Sequence, residues 1–291
     1  MAGTVITFCP ITVGSGAKYS AVTLAAALHD YKPNLKIGLI DLDFKNPYLA
    51  AYLTMEDNFH CLDLLIEKVD CGEKAGYLTN ELFLDSLVPV GKMFKVLKGT
   101  KLIGRDHLIT REHVKKAIDM MRQNFDYVFV CVSPKNDNAG TAYGLYEADK
   151  IIAVMRANFA ANANFDRVME MIHSYKRTPE DVMLLYNMRN PDDPDLSKKV
   201  SEWKLHPIGE FIYDPATIDN KNLMPGTLST IVKGGSKAYT ERTRPIVREI
   251  LGETYLQAKI SATNPGPATQ QTAQPMMQQT AQPTTGRRRG L

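Results

Sequence analysis

Short, nearly continuous apolar runs alternate along this chain with longer segments of helical spacing, and that alternation constrains the fold more than any other feature. The runs are "TVITFCPI" (Thr4 to Ile11), "KIGLIDLD" (Lys36 to Asp43), "MFKVLKG" (Met93 to Gly99), "YVFVCVSP" (Tyr127 to Pro134), "KIIAVMRA" (Lys150 to Ala157), "VMLLYNM" (Val182 to Met188) and "PIGEFIYD" (Pro207 to Asp214). Strands with so little polar alternation suit a sheet covered on both faces. Helical spacing occurs in Tyr19 to His29, Arg111 to Asn124, Asn164 to Tyr175, Ser197 to Trp203 and Lys237 to Leu251. In the clearest case Val114, Ala117, Ile118, Met121 and Phe125 fall on one side. Strands and helices in turn require crossover connections, so the sequence predicts a doubly wound α/β domain with a mostly parallel sheet and helices on both faces.

That domain is expected over residues 1–260. From Ser261 the composition changes to Pro, Gln, Thr and Ala, with "QQTAQPMM" echoed by "QQTAQPTT" and a closing "GRRRGL". Such a segment buries too little apolar surface to offset its ordering entropy, so residues 261–291 are expected to form a disordered tail. The net charge of +3 is matched by Arg287, Arg288 and Arg289, so the rest of the chain is neutral overall. Bulk charge therefore gives no argument for nucleic acid or acidic lipid. Cys9, Cys61, Cys71 and Cys131 lack metal-ligand or redox spacing, which fits a reducing compartment. The amino terminus shows no basic start followed by an apolar signal core, and no apolar run is long enough to span a bilayer, so the expected location is cytoplasmic.

After the first apolar run comes "VGSGAKYS". In a phosphate-binding loop, backbone amides of a glycine-rich turn and of the following helix surround the phosphates, a lysine reaches the terminal phosphates, and a hydroxyl binds magnesium. Gly14, Ser15 and Gly16 supply the turn here, Lys18 the cation and Tyr19 to His29 the helix. Ala17 stands where a glycine usually precedes the lysine, and Tyr19 stands where the hydroxyl belongs. Ser20 is a substitute hydroxyl, displaced by about 100° around the helix. Taken alone, this stretch also fits an ordinary turn between strand and helix. The second run ends in Asp41 and Asp43, at the strand end where open α/β sheets bind ligands. Such a pair either holds magnesium or orients water, or it caps the next turn.

The ordered set of the glycine-lysine loop, "DLDFKNPYL", "FDYVFVCVSP", "YEADKIIAVMRANFAANANFDRVMEMI", "VMLLYNMRN" and "PIGEFIYDPATID" resembles the ParA/MinD superfamily of deviant P-loop ATPases. The resemblance covers nearly the whole globular part. It implies that Asn187 and the Tyr213 to Pro215 loop, Tyr213 and Asp214 included, lie beside the adenine base. It implies also that Asp43 matches the acidic residue that positions water. Gly14, Ser15, Gly16, Lys18 and Ser20 would complete the nucleotide site. Three departures stand against hydrolysis: Thr12 and Val13 occupy the region of the family's signature lysine, Tyr19 replaces the hydroxyl ligand, and Cys131 replaces the magnesium-linked aspartate. Phosphoryl transfer rests on positioning and charge stabilisation, so these losses fall on the catalytic machinery.

What the resemblance implies is a degenerate member with no or weak ATP hydrolysis, holding ATP or ADP weakly or having lost it, and a poor magnesium binder. It would act as a positioning, scaffold or regulatory factor, with proteins of the TadZ/CpaE kind as the nearest functional analogy. Its expected partners are a second copy, as a homodimer or higher homo-oligomer, and a protein of a localisation, secretion or DNA-segregation system. Two alternatives stay open. One is an active ParA-type ATPase of DNA partition or conjugative transfer, with Ser20 and Asp43 rescuing the site. The other is a nucleotide-independent structural or filament protein that uses Arg287, Arg288 and Arg289 to anchor on DNA or membrane, at the periphery of nucleoid or bilayer.

Overall fold

The computed structural model describes residues 2–53, 61–70, 79–101, 104, 106–175, 177–212 and 237–253. The expected tail, and the Tyr213 to Pro215 loop, lie outside the described residues. The chain divides into two units, Met1–Gly252 and Glu253–Leu291, and every element below belongs to the first.

In chain order these are β1 (Thr4–Pro10), α1 (Ala17–Tyr31), β2 (Ile37–Asp41), a 3₁₀ turn (Leu49–Leu53), α2 (Leu62–Asp70), α3 (Asn80–Asp85), β3 (Val88–Val90), β4 (Phe94–Leu97), α4 (Arg111–Asn124), β5 (Tyr127–Cys131), α5 (Ala139–Tyr146), β6 (Lys150–Met155), α6 (Phe159–Ser174), β7 (Val182–Arg189), α7 (Ser197–Glu202), β8 (His206–Ile212) and α8 (Lys237–Ile250). The strands form a single sheet in the order β3-β4-β2-β5-β1-β6-β7-β8. All neighbours are parallel except β3 and β4.

Each central strand feeds two cores, as continuous apolar runs require. Val5 and Cys9 of β1, Val128 and Val130 of β5, and Ile151 and Ala153 of β6 pack beneath α4, α5 and α6. Their alternate neighbours, Ile6, Phe8, Phe129, Cys131, Ile152 and Val154, pack beneath α1 and α8. The apolar stripe expected on α4 is buried throughout, from Val114 to Phe125. Alanines at 21, 25 and 26 of α1 are fully or almost fully buried, which brings that helix close to the sheet.

Each apolar run of the sequence carries a strand, and the structure adds β3, α2, α3 and α5. The three-residue β3 contains Pro89 and pairs antiparallel at the sheet edge, a position where a missing N–H is tolerated. The sequence of α5, "AGTAYGLY", has no amphipathic stripe. Local and tertiary constraints define it instead: Asn138 caps it by accepting the Thr141 N–H at 3.0 Å, and a Cβ on Gly140 would lie 2.3 Å from the Leu42 carbonyl oxygen. Trp203 stacks on His173 and donates its indole N–H to Asp166 at 3.0 Å, both on α6.

Candidate nucleotide-binding site

The loop between β1 and α1 is closed by its own hydroxyls. Thr12 N–H donates to Ser15 Oγ at 3.1 Å, Ser15 N–H donates to the Thr12 carbonyl at 3.1 Å, and the two hydroxyl oxygens lie 3.0 Å apart. Gly14 and Gly16 have φ of 84° and 82°, the left-handed conformation that a side chain disfavours. This turn puts Gly16 at the amino-terminal cap of α1. The first turn of α1 carries no acidic residue, so its unpaired N–H groups and positive dipole end are left without an internal carboxylate from that turn.

Asn187, on β7, reaches across β6 to this loop. Its Nδ2 donates to the Ser15 carbonyl at 2.9 Å, and a Cβ on Gly16 would sit 2.0 Å from that nitrogen. Gly16 is thus required twice, by its φ and by the amide pressed on it. Asn187 is almost fully buried, and its Oδ1 has no hydrogen-bond partner among the described residues.

Lys18 points to the end of β2. Its Nζ donates to Asp43 Oδ2 at 2.7 Å and to the Asn46 carbonyl at 2.5 Å, and lies 3.6 Å from Asp41 Oδ1. Burial works against the ammonium, but Asp41 and Asp43 outweigh it and hold the Lys18 pKa above its ordinary value. Asp41 is fully buried, and burial pushes its pKa up to about 6 against the pull of Lys18 and of the Leu49 and Asp43 N–H groups. Those two N–H groups donate to it at 2.9 and 3.2 Å. Of the two readings of the carboxylate pair, the turn-capping one describes Asp41, which ties the turn after β2, while Asp43 holds the lysine, a role that neither reading gave it.

The remaining positions decide which ligand this arrangement suits. Tyr19 turns its ring to Phe211 of β8, edge-on with centroids 6.2 Å apart. Ser20 is fully buried, with its hydroxyl unpartnered among the described residues and its N–H donating to the Gly16 carbonyl at 2.9 Å. Cys131 lies beside Asp41 in the β2–β5 register, and burial raises its thiol pKa far above neutrality. Cys9 is likewise buried and pushed up to about 12. Magnesium asks for exposed, uncommitted oxygen ligands. Here both carboxylates already face Lys18, no Ser or Thr directly follows that lysine, and the strand end offers a protonated sulfur, so the donor set does not fit the ion. Among the described residues no other group of acidic, His and Cys side chains is arranged for a metal. The donors to phosphate do fit: the two left-handed glycines, the free end of α1 and Lys18.

Of the residues singled out from the sequence, the structure brings Gly14, Ser15, Gly16, Lys18, Asp43 and Asn187 together around one loop, with Ser20 in the first turn of α1. Tyr213 and Asp214 lie outside the described residues. Tyr52, Asn46 and Leu49 were missed: burial raises the pKa of the Tyr52 phenol, which also lies near enough to Lys18 and Asp41 to feel their charges. Their one signal was proximity, within ten residues of Asp43 on the strand-end loop.

Comparison with solved structures places this geometry. A ParA family ATPase from Chlorobium tepidum TLS superposes with a TM-score of 0.71 at 16% identity, over 86% of this chain and 98% of that one. The chain has the ParA/MinD fold. MinD from Pyrococcus horikoshii, complexed with Mg-ADP, gives 0.66 at 14% identity over 88% and 99% of the two chains. The MinC:MinD cell division complex of Aquifex aeolicus gives 0.65 at 18% identity over 86% and 96%. No family model matches the chain, and no curated protein does. Identities this low establish the architecture and leave the site to be argued from its own residues. Among the described residues no helix is long and apolar enough to cross a membrane.

Proposed function

We propose that this chain is a positioning or scaffold factor built on the ParA/MinD fold, whose phosphate loop binds a nucleotide anion without efficient hydrolysis. The observation that carries the reading is the state of Lys18. The cation that would neutralise phosphate is held by Asp43 and the Asn46 carbonyl, beside a thiol where magnesium's carboxylate would stand. A phosphate entering the loop must exchange with Asp43 for the ammonium. That exchange is feasible for a charged ligand meeting several amides at once, but it subtracts from affinity.

Turnover suffers more than binding. Asp43, the residue expected to orient water, is committed to Lys18, Tyr19 packs its ring on Phe211, and Cys131 offers a thiol in place of a carboxylate. Losing one preorganised electrostatic group typically costs about 3 kcal/mol of transition-state stabilisation. Function then rests on contacts with a second copy and with a protein partner, a reading supported by the likeness to a chain of the MinC:MinD complex.

Thermal unfolding with ATP and ADP, with and without magnesium, tests the reading. We expect both nucleotides to raise the melting temperature, with little added by magnesium, because a ligand of the folded state stabilises it. Lys18→Ala abolishes the rise, and phosphate release stays at background. Lysine-dependent turnover would establish an active ATPase instead. No shift at millimolar nucleotide would favour the nucleotide-independent reading, which the self-satisfied loop, with Asn187 on Ser15 and Lys18 on Asp43, also supports.

A further inference from the structure

At the opposite edge of the sheet, the β3–β4 turn, the segment leading into β2 and the end of α4 enclose a cleft of about 580 Å³. Leu35, Met93 and Phe94 line it, together with three lysines, Lys36, Lys92 and Lys95. None of the three lysines forms an ion pair among the described residues. The carboxylate nearest in sequence register, Asp126, accepts the Lys36 backbone N–H at 2.8 Å. We propose that this cleft is a second binding site, one that takes a small anion carried on an apolar body, of the alkyl or aryl phosphate or carboxylate class.

Charge sets the sign of the ligand. The carboxyl ends of α1 and α4 reach this edge, at Tyr31 and Asn124, and each contributes roughly half a negative charge. Three ammonium groups exceed those and the Asp126 carboxylate by about one unit, so a net positive field remains for an anion. Size and lining set its shape. The volume lies within the range of small-molecule sites, roughly 300 to 1,000 Å³. Inorganic phosphate would satisfy the lysines while leaving the partly exposed Leu35 and Met93 uncovered.

A bilayer suits the place less well. Membrane contact uses protruding apolar side chains beside the basic ones. The exposed large apolar residues, Val13, Tyr48, Leu82, Leu108, Tyr146 and Phe159, do not line this cleft. The ligand is therefore a free small molecule, and the proposal is independent of any nucleotide at the phosphate loop.

Calorimetric titration of the full-length chain with octyl phosphate tests it, below the concentration at which that probe aggregates. Octyltrimethylammonium controls for the sign of the charge and inorganic phosphate for the apolar body. We expect octyl phosphate to bind the wild type and Lys18→Ala equally, at least tenfold more weakly to the Lys92→Gln, Lys95→Gln double variant, and octyltrimethylammonium not to bind. Lys92 lies in the exposed β3–β4 turn and Lys95, partly exposed, on β4 between β3 and β2, and circular dichroism verifies that the double variant folds. The proposal is overturned if the double variant binds octyl phosphate as the wild type does, if Lys18→Ala alone removes binding, or if inorganic phosphate binds as tightly as octyl phosphate. It is overturned also if the lysines matter only for flotation with vesicles of anionic phospholipid.

Discussion

The two edges of the sheet hold their lysines in opposite ways. At the carboxyl edge Lys18 is almost buried, 12% exposed, and clasped between Asp41 and Asp43. At the amino edge Lys36, Lys92 and Lys95 surround an apolar recess and form no ion pair among the described residues. The first edge has the architecture of a phosphate site and has turned its cation inward; the second has no inherited motif and leaves its cations available. Charge alone therefore does not mark a ligand site in this molecule: what the charge already touches does.

Removing the cation from each edge gives the largest expected contrast. Lys18→Met leaves Asp41 and Asp43 buried without a counter-ion, and breaking such a pair costs about 3 kcal/mol at pH 7. The deficit shrinks on acidification, because Asp41, whose pKa burial already raises, takes up a proton in the folded state. Lys92→Met removes a solvated cation and shifts stability by no more than about 0.5 kcal/mol. Urea denaturation of both variants measures the pair. Equal effects would mean that the Lys18 clasp is no stronger than a surface contact.

Glycine at each edge sharpens the comparison at a smaller scale. Gly16 and Gly91 both have positive φ, 82° and 54°, but a Cβ at Gly16 meets Asn187 Nδ2 at 2.0 Å while at Gly91 it meets nothing within 4 Å. Gly91→Ala should cost about 1 kcal/mol, the backbone term alone. Gly16→Ala should cost about 2 to 3 kcal/mol, with the excess over Gly91→Ala recovered in an Asn187→Ala background. If the two alanines cost the same, Asn187 does not press on the loop.

The same contrast explains what could be read from the sequence. Strands and long helices were legible because their burial follows from local apolar pattern, as in β5 and α4. The elements that escaped are defined by something pattern does not carry: α5 by close approach of Gly140 to Leu42, and β3 by its pairing with β4. At the site, Lys18, Asp43 and Asn187 were legible because each belongs to a motif with a place on a strand end. Their mutual engagement was not, since an ordered motif says which side chains converge and nothing about whether they satisfy one another first. The cleft at the other edge was invisible for a related reason. Lys36, Lys92 and Lys95 are ordinary surface lysines until the β3–β4 turn brings the last two against the first.

Asp41 offers the finest test of the clasp, because its two influences oppose one another. Burial raises its pKa to about 6 although Lys18 is near, so the folded state binds a proton more readily than the unfolded chain, whose value is 3.8. An acid whose pKa is raised on folding costs stability when ionised: the cost is absent below the unfolded value, develops between about pH 4 and 6, and is complete above 6. Asp41→Asn keeps an acceptor for the Leu49 N–H and leaves Lys18 on Asp43. Its stability relative to the wild type should therefore be about equal at pH 4 and rise to an advantage of about 1 to 2 kcal/mol at pH 7. Urea midpoints across that range measure the difference. An advantage for the wild type that grows with pH would reverse the balance, making attraction to Lys18 stronger than the cost of burying Asp41. The lysine at the carboxyl edge would then be held mainly by charge, and a phosphate would have to outcompete both carboxylates rather than Asp43 alone.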